Sequence, residues 1–332
     1  MKRPESRRIL ITGGAGFIGY HLACRLLEEG GEVTLADNFS RGRRDPALAE
    51  LTRRRNLRVV EGDLTDEAAC AALGAGYDEV YHLAGKLGVG YVTAEPYAAL
   101  RGNALVTLRV LDWFAAGGGR KLLFASTSEV YAWTQAFHAL PYPTPEDVPL
   151  AITDVAHPRA SYAGAKIFGE LAVVHGCRAA GLPYVVVRYH NVYGPRMGQE
   201  HVVPQLLARA AAGEDPLVVR SADHVRAFCY VSDAIAATVA AMRWCGSGTF
   251  NIGNDEEPVA IGDLARRLAA AAGIPARVID GDADARDPIQ RRCPDIARAR
   301  EQLGYRPAVK LDQGLELTHA WYAAERRELC HV

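Results

Sequence analysis

Tyr162 and Lys166 stand four residues apart in Ser161-Tyr-Ala-Gly-Ala-Lys166. On a helix that spacing stacks the phenol and the ammonium on one face. A phenol normally titrates near ~10, and a nearby positive charge favours its phenolate form. Tyr162 is then a candidate general base for a hydroxyl group, with Lys166 supporting it. Such pairs are common on helix surfaces, so the spacing gains meaning from what accompanies it. Phe124-Ala-Ser-Thr-Ser-Glu-Val-Tyr131 supplies hydroxyls and a carboxylate at the end of an expected strand. Thr127 or Ser128 could hydrogen-bond the reacting hydroxyl. Two readings of Glu129 stand. It is either an acid that satisfies backbone donors at a helix start, or a catalytic acid/base or steering charge near C5 or C6 of a sugar.

A second constellation lies near the N-terminus. The apolar strand Ile9-Leu-Ile-Thr12 runs into Gly13-x-x-Gly16-x-x-Gly19 and then into a helical pattern with Ile18, Leu22 and Leu26 on one face. This is the geometry of a dinucleotide pyrophosphate site. Gly13 permits the turn, Gly16 lets backbone approach phosphate, and Gly19 lets the helix pack on the strand, with the helix N-terminus facing the anion. Asp37 ends the next expected strand, Glu32-Val-Thr-Leu-Ala-Asp37, about 20 residues downstream, where a ribose-binding carboxylate belongs. An oxidised nicotinamide ring beside Tyr162 would join Lys166 in pulling the phenol toward neutrality. The phenolate could then take a hydroxyl proton while hydride leaves the same carbon.

These residues need a scaffold, and the pattern supplies one. Expected strands are Arg8–Thr12, Glu32–Ala36, Leu57–Glu61, Glu79–Leu83, Lys121–Ala125 and Tyr184–Tyr189. Helical patterns lie between them at His21–Glu29, Ala68–Leu73, Leu105–Ala116 and Tyr162–Ala180. Such alternation predicts an α/β fold: a doubly wound parallel sheet of the Rossmann type, covered on both faces, with ligands at the carboxyl ends of its strands. Leu140-Pro-Tyr-Pro-Thr-Pro-Glu-Asp-Val-Pro149 cannot be regular helix or central strand and reads as a surface connection. Later helical patterns at Gln205–Ala212, Asp233–Trp244, Gly262–Ala272 and Asp312–Glu325 predict a smaller, interleaved α/β substrate domain. The expected division is 1–188 for dinucleotide binding and 189–332 mainly for substrate, with 226–250 returning to the first domain.

Composition narrows the function further. The chain has 332 residues and a net charge of −1, so it carries no basic field for nucleic acid, and any anion must be held locally. No apolar run approaches the ~20 residues needed to span a bilayer. Met1-Lys-Arg-Pro-Glu-Ser-Arg-Arg8 leads straight into the first strand without the apolar stretch of a signal peptide. The seven cysteines are dispersed, with no C-x-x-C spacing, which favours a reducing, cytoplasmic setting and gives no metal site.

With these pieces in place, the chain resembles the extended short-chain dehydrogenase/reductases that modify nucleotide sugars, the NAD-dependent epimerase/dehydratase family. The resemblance runs over nearly the whole chain. Its marks are the Gly13–Gly19 loop, Asp37-Asn-Phe-Ser-Arg-Gly42, Gly62-Asp-Leu64, His82-Leu-Ala-Gly85, Asn103, Ser126–Glu129 and Tyr162/Lys166. Arg188-Tyr-His-Asn-Val-Tyr-Gly-Pro-Arg196, Arg226-Ala-Phe-Cys-Tyr-Val-Ser-Asp233 and Asn251-Ile-Gly-Asn254 continue the match. The resemblance implies NAD as cofactor, held by Gly13, Gly16, Phe17, Ile18, Gly19, Asp37, Asn38, Arg41, Asp63, Leu64, Leu83, Ala84, Gly85, Asn103, Ser126, Tyr162 and Lys166. Asp37 would hold the adenosine ribose and disfavour a 2′-phosphate, and Asp63 and Leu64 would border adenine. Asn191, Arg226 and Arg292 would bind the diphosphate of a nucleotide sugar, with Glu129 also at the substrate. A homodimer through helices of the sheet domain is implied as well.

Members of this family are expected to begin by oxidising C4 of the sugar. The 4-keto group then allows loss of carbon dioxide if C6 is a carboxylate, loss of water if C6 carries a hydroxyl, or 4-epimerisation if hydride returns on the other face. Thr127-Ser-Glu129 resembles UDP-glucuronate decarboxylases and GDP-mannose 4,6-dehydratases. Asp287-Pro-Ile-Gln-Arg-Arg-Cys-Pro-Asp-Ile296 looks most like the decarboxylases. Some features depart from that pattern: Ala132 stands where a glycine is usual, and Ser161–Lys166 and Gly62–Asp66 are closer to epimerases. The resemblance therefore points first to a UDP-glucuronate decarboxylase-like enzyme, with a 4-epimerase or 4,6-dehydratase as alternatives. A non-catalytic dinucleotide sensor is the alternative from another class, although it would have no need of a base beside the nicotinamide.

Overall fold

The computed structural model describes residues 6–135, 138–274, 277–281 and 289–330, with only the backbone for 326–330. Asp287 and Pro288 of the C-terminal motif, and residues 1–5 of the N-terminal stretch, lie outside the described residues. The chain divides into two compact units. The first comprises 1–130, 154–188 and 238–250; the second comprises 131–153, 189–237 and 251–332.

The first unit is built on a seven-stranded sheet. Its strands are β1 (Arg8–Thr12), β2 (Glu32–Asp37), β3 (Leu57–Glu61), β4 (Glu79–His82), β5 (Leu122–Thr127), β6 (Tyr184–Tyr189) and β7 (Gly248–Ile252). Their order is β7-β6-β5-β4-β1-β2-β3. The pairs β1–β2, β1–β4, β2–β3 and β4–β5 are parallel. The order reverses at β1, so a crevice opens at the carboxyl ends of β1 and β4, the position where doubly wound sheets bind ligands. The central strands are apolar because both faces are covered: Ile9, Leu10, Ile11 and Val185–Val187 have no exposed surface. The edge strand β3 departs from the expected two-sided cover. Arg58 and Val59 are exposed there, as an edge with charged residues allows.

Three helices matter for the site: α1 (Phe17–Glu28), α2 (Pro96–Trp113) and α3 (Ala160–Ala179). α1 begins at Phe17, four residues before the expected His21, because Gly16 serves as its N-cap in an extended conformation. Its buried face is Gly19, Leu22, Ala23, Leu26 and Leu27. α3 presses onto β5 through Gly169: a Cβ there would lie 2.5 Å from the Phe124 ring. That close approach sets the height of the whole helix over the end of β5. It therefore fixes where Tyr162 and Lys166 project.

In the second unit, Val225–Arg226 pairs antiparallel with Val259–Ala260 and parallel with Arg291–Arg292. Leu217–Arg220 pairs parallel with Val278–Gly281. The helices Val202–Ala211, Ile261–Ala271 and Leu311–Cys330 belong to this unit. The Pro-rich stretch 140–149 is irregular, as its prolines require, but it is not merely a surface connection. Thr144 and Glu146 are buried. Thr144 takes a backbone bond from Asp295 and gives one to Cys293. Asn251, fully buried, ties this region together: its Nδ2 donates to the carbonyls of Thr144 (3.0 Å) and Asp295 (3.1 Å), and its Oδ1 accepts from Tyr131 (2.8 Å). Cys70, Cys177, Cys229 and Cys293 are buried free thiols, packed as small apolar side chains.

Candidate active site

The glycine loop follows β1 directly. Gly13 has φ +68°, and a Cβ on it would lie 2.9 Å from the Ala84 nitrogen, so the turn after β1 and the segment after β4 touch at the mouth of the crevice. A Cβ on Gly19 would collide with the Gly13 carbonyl oxygen, which is why α1 can lie so close behind the loop. Asp37 is buried at the end of β2. Its Oδ2 accepts from the Ala15 N–H at 2.9 Å and its Oδ1 from the Phe39 N–H at 2.8 Å. The carboxylate thus anchors the glycine loop. Asn38 does not point outward: its Nδ2 donates to Asp63 at 3.0 Å, and its Oδ1 accepts from the Ser40 N–H. Burial pushes the Asp63 carboxyl up, but hydrogen bonds from Thr65 and Asn38 and the Lys86 charge together hold it below its ordinary range. Leu64 beside it is buried.

The segment after β4 is held by a relay of polar side chains. Thr12 and His82 are neighbours across β1 and β4. Thr12 Oγ1 accepts from the Ala84 N–H at 3.1 Å and lies 2.8 Å from His82 Nδ1. Thr107 Oγ1, 3.4 Å from His82 Nε2, gives its own proton to a carbonyl and can only accept from the ring, so the His82 proton sits on Nε2 and Nδ1 accepts from the Thr12 hydroxyl. Thr107 in turn donates to the Asn103 carbonyl at 2.9 Å. Burial, then the Lys166 charge, lower the His82 imidazolium pKa to about 3, so the ring is neutral in this role. Asn103, expected at the cofactor, binds the loop after β4. Its Oδ1 accepts from the Lys86 N–H, and its Nδ2 donates to the carbonyls of Lys86 and Ala99.

Gly85 stands at the closest approach within this loop. A Cβ on it would lie 2.7 Å from Asn103 Oδ1 and 3.5 Å from Lys166 Nζ. The loop after β4, the polar face of α2 and the lysine of α3 therefore meet around one glycine. Bare backbone at Gly13 and Gly85, a helix N-terminus at Gly16 and a carboxylate at Asp37 are the donor and acceptor set that a dinucleotide requires, and the residues fit NAD. Phe17, Ile18, Leu83 and Ala84 lie in the two segments that form this cradle.

The reactive groups line up at the end of β5. Lys166 is buried, and its Nζ donates to the Ala125 carbonyl at 2.8 Å. Burial lowers its pKa to about 8, against the opposing charge of Glu170. Tyr162 hydrogen-bonds with the Thr127 side chain and feels the charges of Glu129 and Arg41. The expected fall of its pKa toward neutrality is not built into the polypeptide. Burial and the Glu129 carboxylate push the phenol well above its ordinary value, against the Thr127 bond and the Arg41 charge, and Lys166 is not among the dominant influences. Arg41 reaches this region because its guanidinium is tied to the Leu87 carbonyl at 2.5 Å. Ser128 is buried beside Glu129.

Two residues of this group escaped the sequence reading. One guanidinium nitrogen of Arg159, NH2, is shared between the two Glu129 oxygens, 3.2 Å from Oε2 and 3.4 Å from Oε1. Both side chains are mostly covered. Glu170 accepts from Ser126 Oγ at 2.5 Å and from Arg188 Nε at 2.9 Å and NH2 at 2.6 Å. Ser126, expected at the cofactor, is thus buried and committed to Glu170. The signal for Glu170 was present: Tyr162, Lys166 and Glu170 follow i, i+4, i+8 on one face. Arg159 sits a single turn before Tyr162, but nothing in the spacing names its partner on another element.

In the second unit, Arg226 and Arg292 are register partners and both are buried. The guanidinium of Arg226 donates to the carbonyls of Val225 (3.0 Å), Gln290 (3.2 Å) and Ile289 (2.7 Å). It is therefore a brace for its own strands as well as a local cation. Asn191 takes a positive φ of 39°, and its Nδ2 donates to the Ala227 carbonyl at 2.9 Å.

Comparison with known proteins accords with this geometry. Residues 9–253 match the model of the NAD dependent epimerase/dehydratase family. The chain is 34% identical to a UDP-N-acetyl-alpha-D-glucosaminuronate decarboxylase of Bacillus cytotoxicus, covering 95% of this chain and 98% of that one. It is 33% identical to UDP-glucuronic acid decarboxylase 1 of Xenopus tropicalis, covering 100% of this chain and 75% of the relative. Among solved structures, a UDP-glucose 4-epimerase of Thermotoga maritima with UDP-glucose superposes with a TM-score of 0.84 at 29% identity, covering 96% of this chain and 99% of the other. The chain belongs to the NAD dependent epimerase/dehydratase family, as an NAD-dependent enzyme that modifies nucleotide sugars.

Proposed function

We propose that the enzyme decarboxylates a UDP-linked hexuronic acid. The observation that carries this reading is Glu129: a carboxylate close enough to the Tyr162 phenol to raise its pKa, at a place where simple 4-epimerisation needs none. The two decarboxylase relatives, similar over most of their length, support it.

NAD, held by the Gly13–Gly19 loop, Asp37 and the Gly85 loop, supplies the hydride acceptor for C4 of the sugar. Thr127 orients the C4 hydroxyl, and Tyr162 Oη takes its proton. The resulting ketone stands β to the C6 carboxylate. The C5–C6 bond then breaks, its electron pair moves toward the C4 oxygen, and the protonated Tyr162 donates a hydrogen bond to that oxygen. Glu129 acts near C5 and C6, where its charge disfavours a second carboxylate and favours its departure as carbon dioxide. Lys166, fixed on the Ala125 carbonyl, keeps a positive charge within the cradle.

The nucleotide diphosphate is assigned to Asn191, Arg226 and Arg292, since a chain with a net charge of −1 must hold such an anion with local cations. The same reading makes the protein a cytoplasmic homodimer. Tyr97 and Leu100 on α2, and Phe168 and Leu171 on α3, are exposed apolar side chains on helices that pack together, and light scattering tests the dimer. Among the described residues no helix is long and apolar enough to cross a membrane.

The test is incubation of the NAD-loaded enzyme with UDP-glucuronic acid, other UDP-hexuronic acids, UDP-glucose and GDP-mannose, followed by mass analysis. Loss of carbon dioxide from a uronic acid supports the proposal. Loss of water, or an unchanged mass with an inverted C4, replaces it with dehydration or epimerisation. Bound NAD with no conversion of any sugar favours a sensor.

A further inference from the structure

Tyr162 is surrounded by charge from several elements. Glu129 follows β5, Arg41 follows β2, Lys166 lies one turn along α3, and Arg159 stands at the start of that helix with its backbone N–H bonded to His157 Nδ1 at 3.2 Å. Glu129 is the only one of these whose charge opposes phenolate formation, and it is the one whose two oxygens share the NH2 nitrogen of Arg159. The side chains of this pair are 16% and 21% exposed, so water screens them poorly. A carboxylate in such surroundings acts strongly on a neighbouring phenol unless a cation offsets it.

We infer that Arg159 is a positioning residue: its guanidinium holds the Glu129 carboxylate beside the Tyr162 phenol and offsets that carboxylate's charge, so that Arg159 sets how readily Tyr162 gives up its proton. The inference rests on Tyr162 being the base of the proposed reaction. It gives Arg159 a part that acts through Glu129 and requires no contact with substrate. Arginine suits the task because its charge persists at every working pH.

The test is a near-ultraviolet difference titration of the NAD-loaded protein. The phenolate signal of Tyr162 is isolated by subtracting the same protein carrying Tyr162→Phe. Arg159→Gln is expected to move the Tyr162 titration upward by roughly 1 unit, a tenfold loss of phenolate at a given pH. Arg159→Lys restores most of that loss, which separates the effect from misfolding. Glu129→Gln moves the titration downward. In the Glu129→Gln background, Arg159→Gln changes the phenolate fraction by less than about threefold, because the charge it offset is gone. The inference is overturned if Arg159→Gln titrates with the wild type, or if its shift is the same size with and without Glu129. It is also overturned if Tyr162 fails to titrate in the wild type and in Glu129→Gln alike. The readout needs no substrate, whereas the base role of Tyr162 fails separately if Tyr162→Phe turns over normally.

Discussion

The Lys166 ammonium donates to the Ala125 carbonyl across 2.8 Å, fastening α3 to the carboxyl end of β5. The contact explains why a lysine is buried there: the carbonyl accepts from it, and Glu170, one turn further along the helix, faces it with the opposite charge. The compensation is incomplete, since burial still lowers the Lys166 pKa to about 8. Above that value the folded protein has released the proton, while the unfolded chain retains it up to the ordinary lysine range. Stability therefore rises with pH through this window. Urea denaturation at pH 7 and pH 10 should show the wild type gaining relative to Lys166→Met between the two. An equal difference at both pH values would refute the assignment.

Tyr162→Phe should keep NAD and lose turnover. Removal of a general base costs about 100-fold or more in kcat. The residue as a whole is partly exposed and its bond to Thr127 is local, so the fold survives. Steady-state rates together with fluorescence titration of NAD check both halves.

Glu129→Gln should lower kcat more than it raises KM, because its carboxylate acts on groups whose charge changes during reaction. An unchanged kcat with a raised KM would give Glu129 a ground-state binding role instead.

Gly85→Ala should weaken NAD binding by about tenfold or more. The added methyl lies 2.7 Å from Asn103 Oδ1 and must displace the amide that holds Lys86. A tenfold loss corresponds to about 1.4 kcal/mol. Calorimetric titration measures the affinity, and an affinity equal to wild type would show that the loop is not part of the cradle.

Glu170→Leu should be strongly destabilising. It leaves the Arg188 guanidinium, whose side chain is 6% exposed, without its bidentate partner. Removing one member of a buried pair costs about 3–5 kcal/mol. Replacing both residues with apolar side chains of similar volume should recover much of the loss. The midpoint of urea denaturation distinguishes the single from the double variant.

β1, β3 and β6 end where the sequence pattern predicts, because short apolar runs bounded by Gly, Asp or Asn leave little choice of extent. Observed and expected bounds differ where backbone geometry decides. α2 starts at Pro96, well before the expected Leu105, because Pro is favoured in a first turn and the exposed Tyr97 and Leu100 hide the helical period. Glu79 to His82 forms the strand, and Leu83 already belongs to the loop that meets Gly13. Residues of one motif proved to have different tasks: Ser126 braces Glu170, while Thr127 bonds with Tyr162.

The order of residues along the chain determined the fold class, the glycine loop, the acid at the end of β2 and the stacking of Tyr162, Lys166 and Glu170, because each depends on spacing within one element or one turn. Only the tertiary structure decided that Arg159 faces Glu129, that His82 joins Thr12 to Thr107, and that Asn103 holds the Lys86 loop. Those partners stand on separate elements, and a local pattern carries no record of which side chain lies opposite. The proton affinity of Tyr162 belongs to the same group, since burial and the charge of Glu129 act through space and outweigh the lysine four residues away.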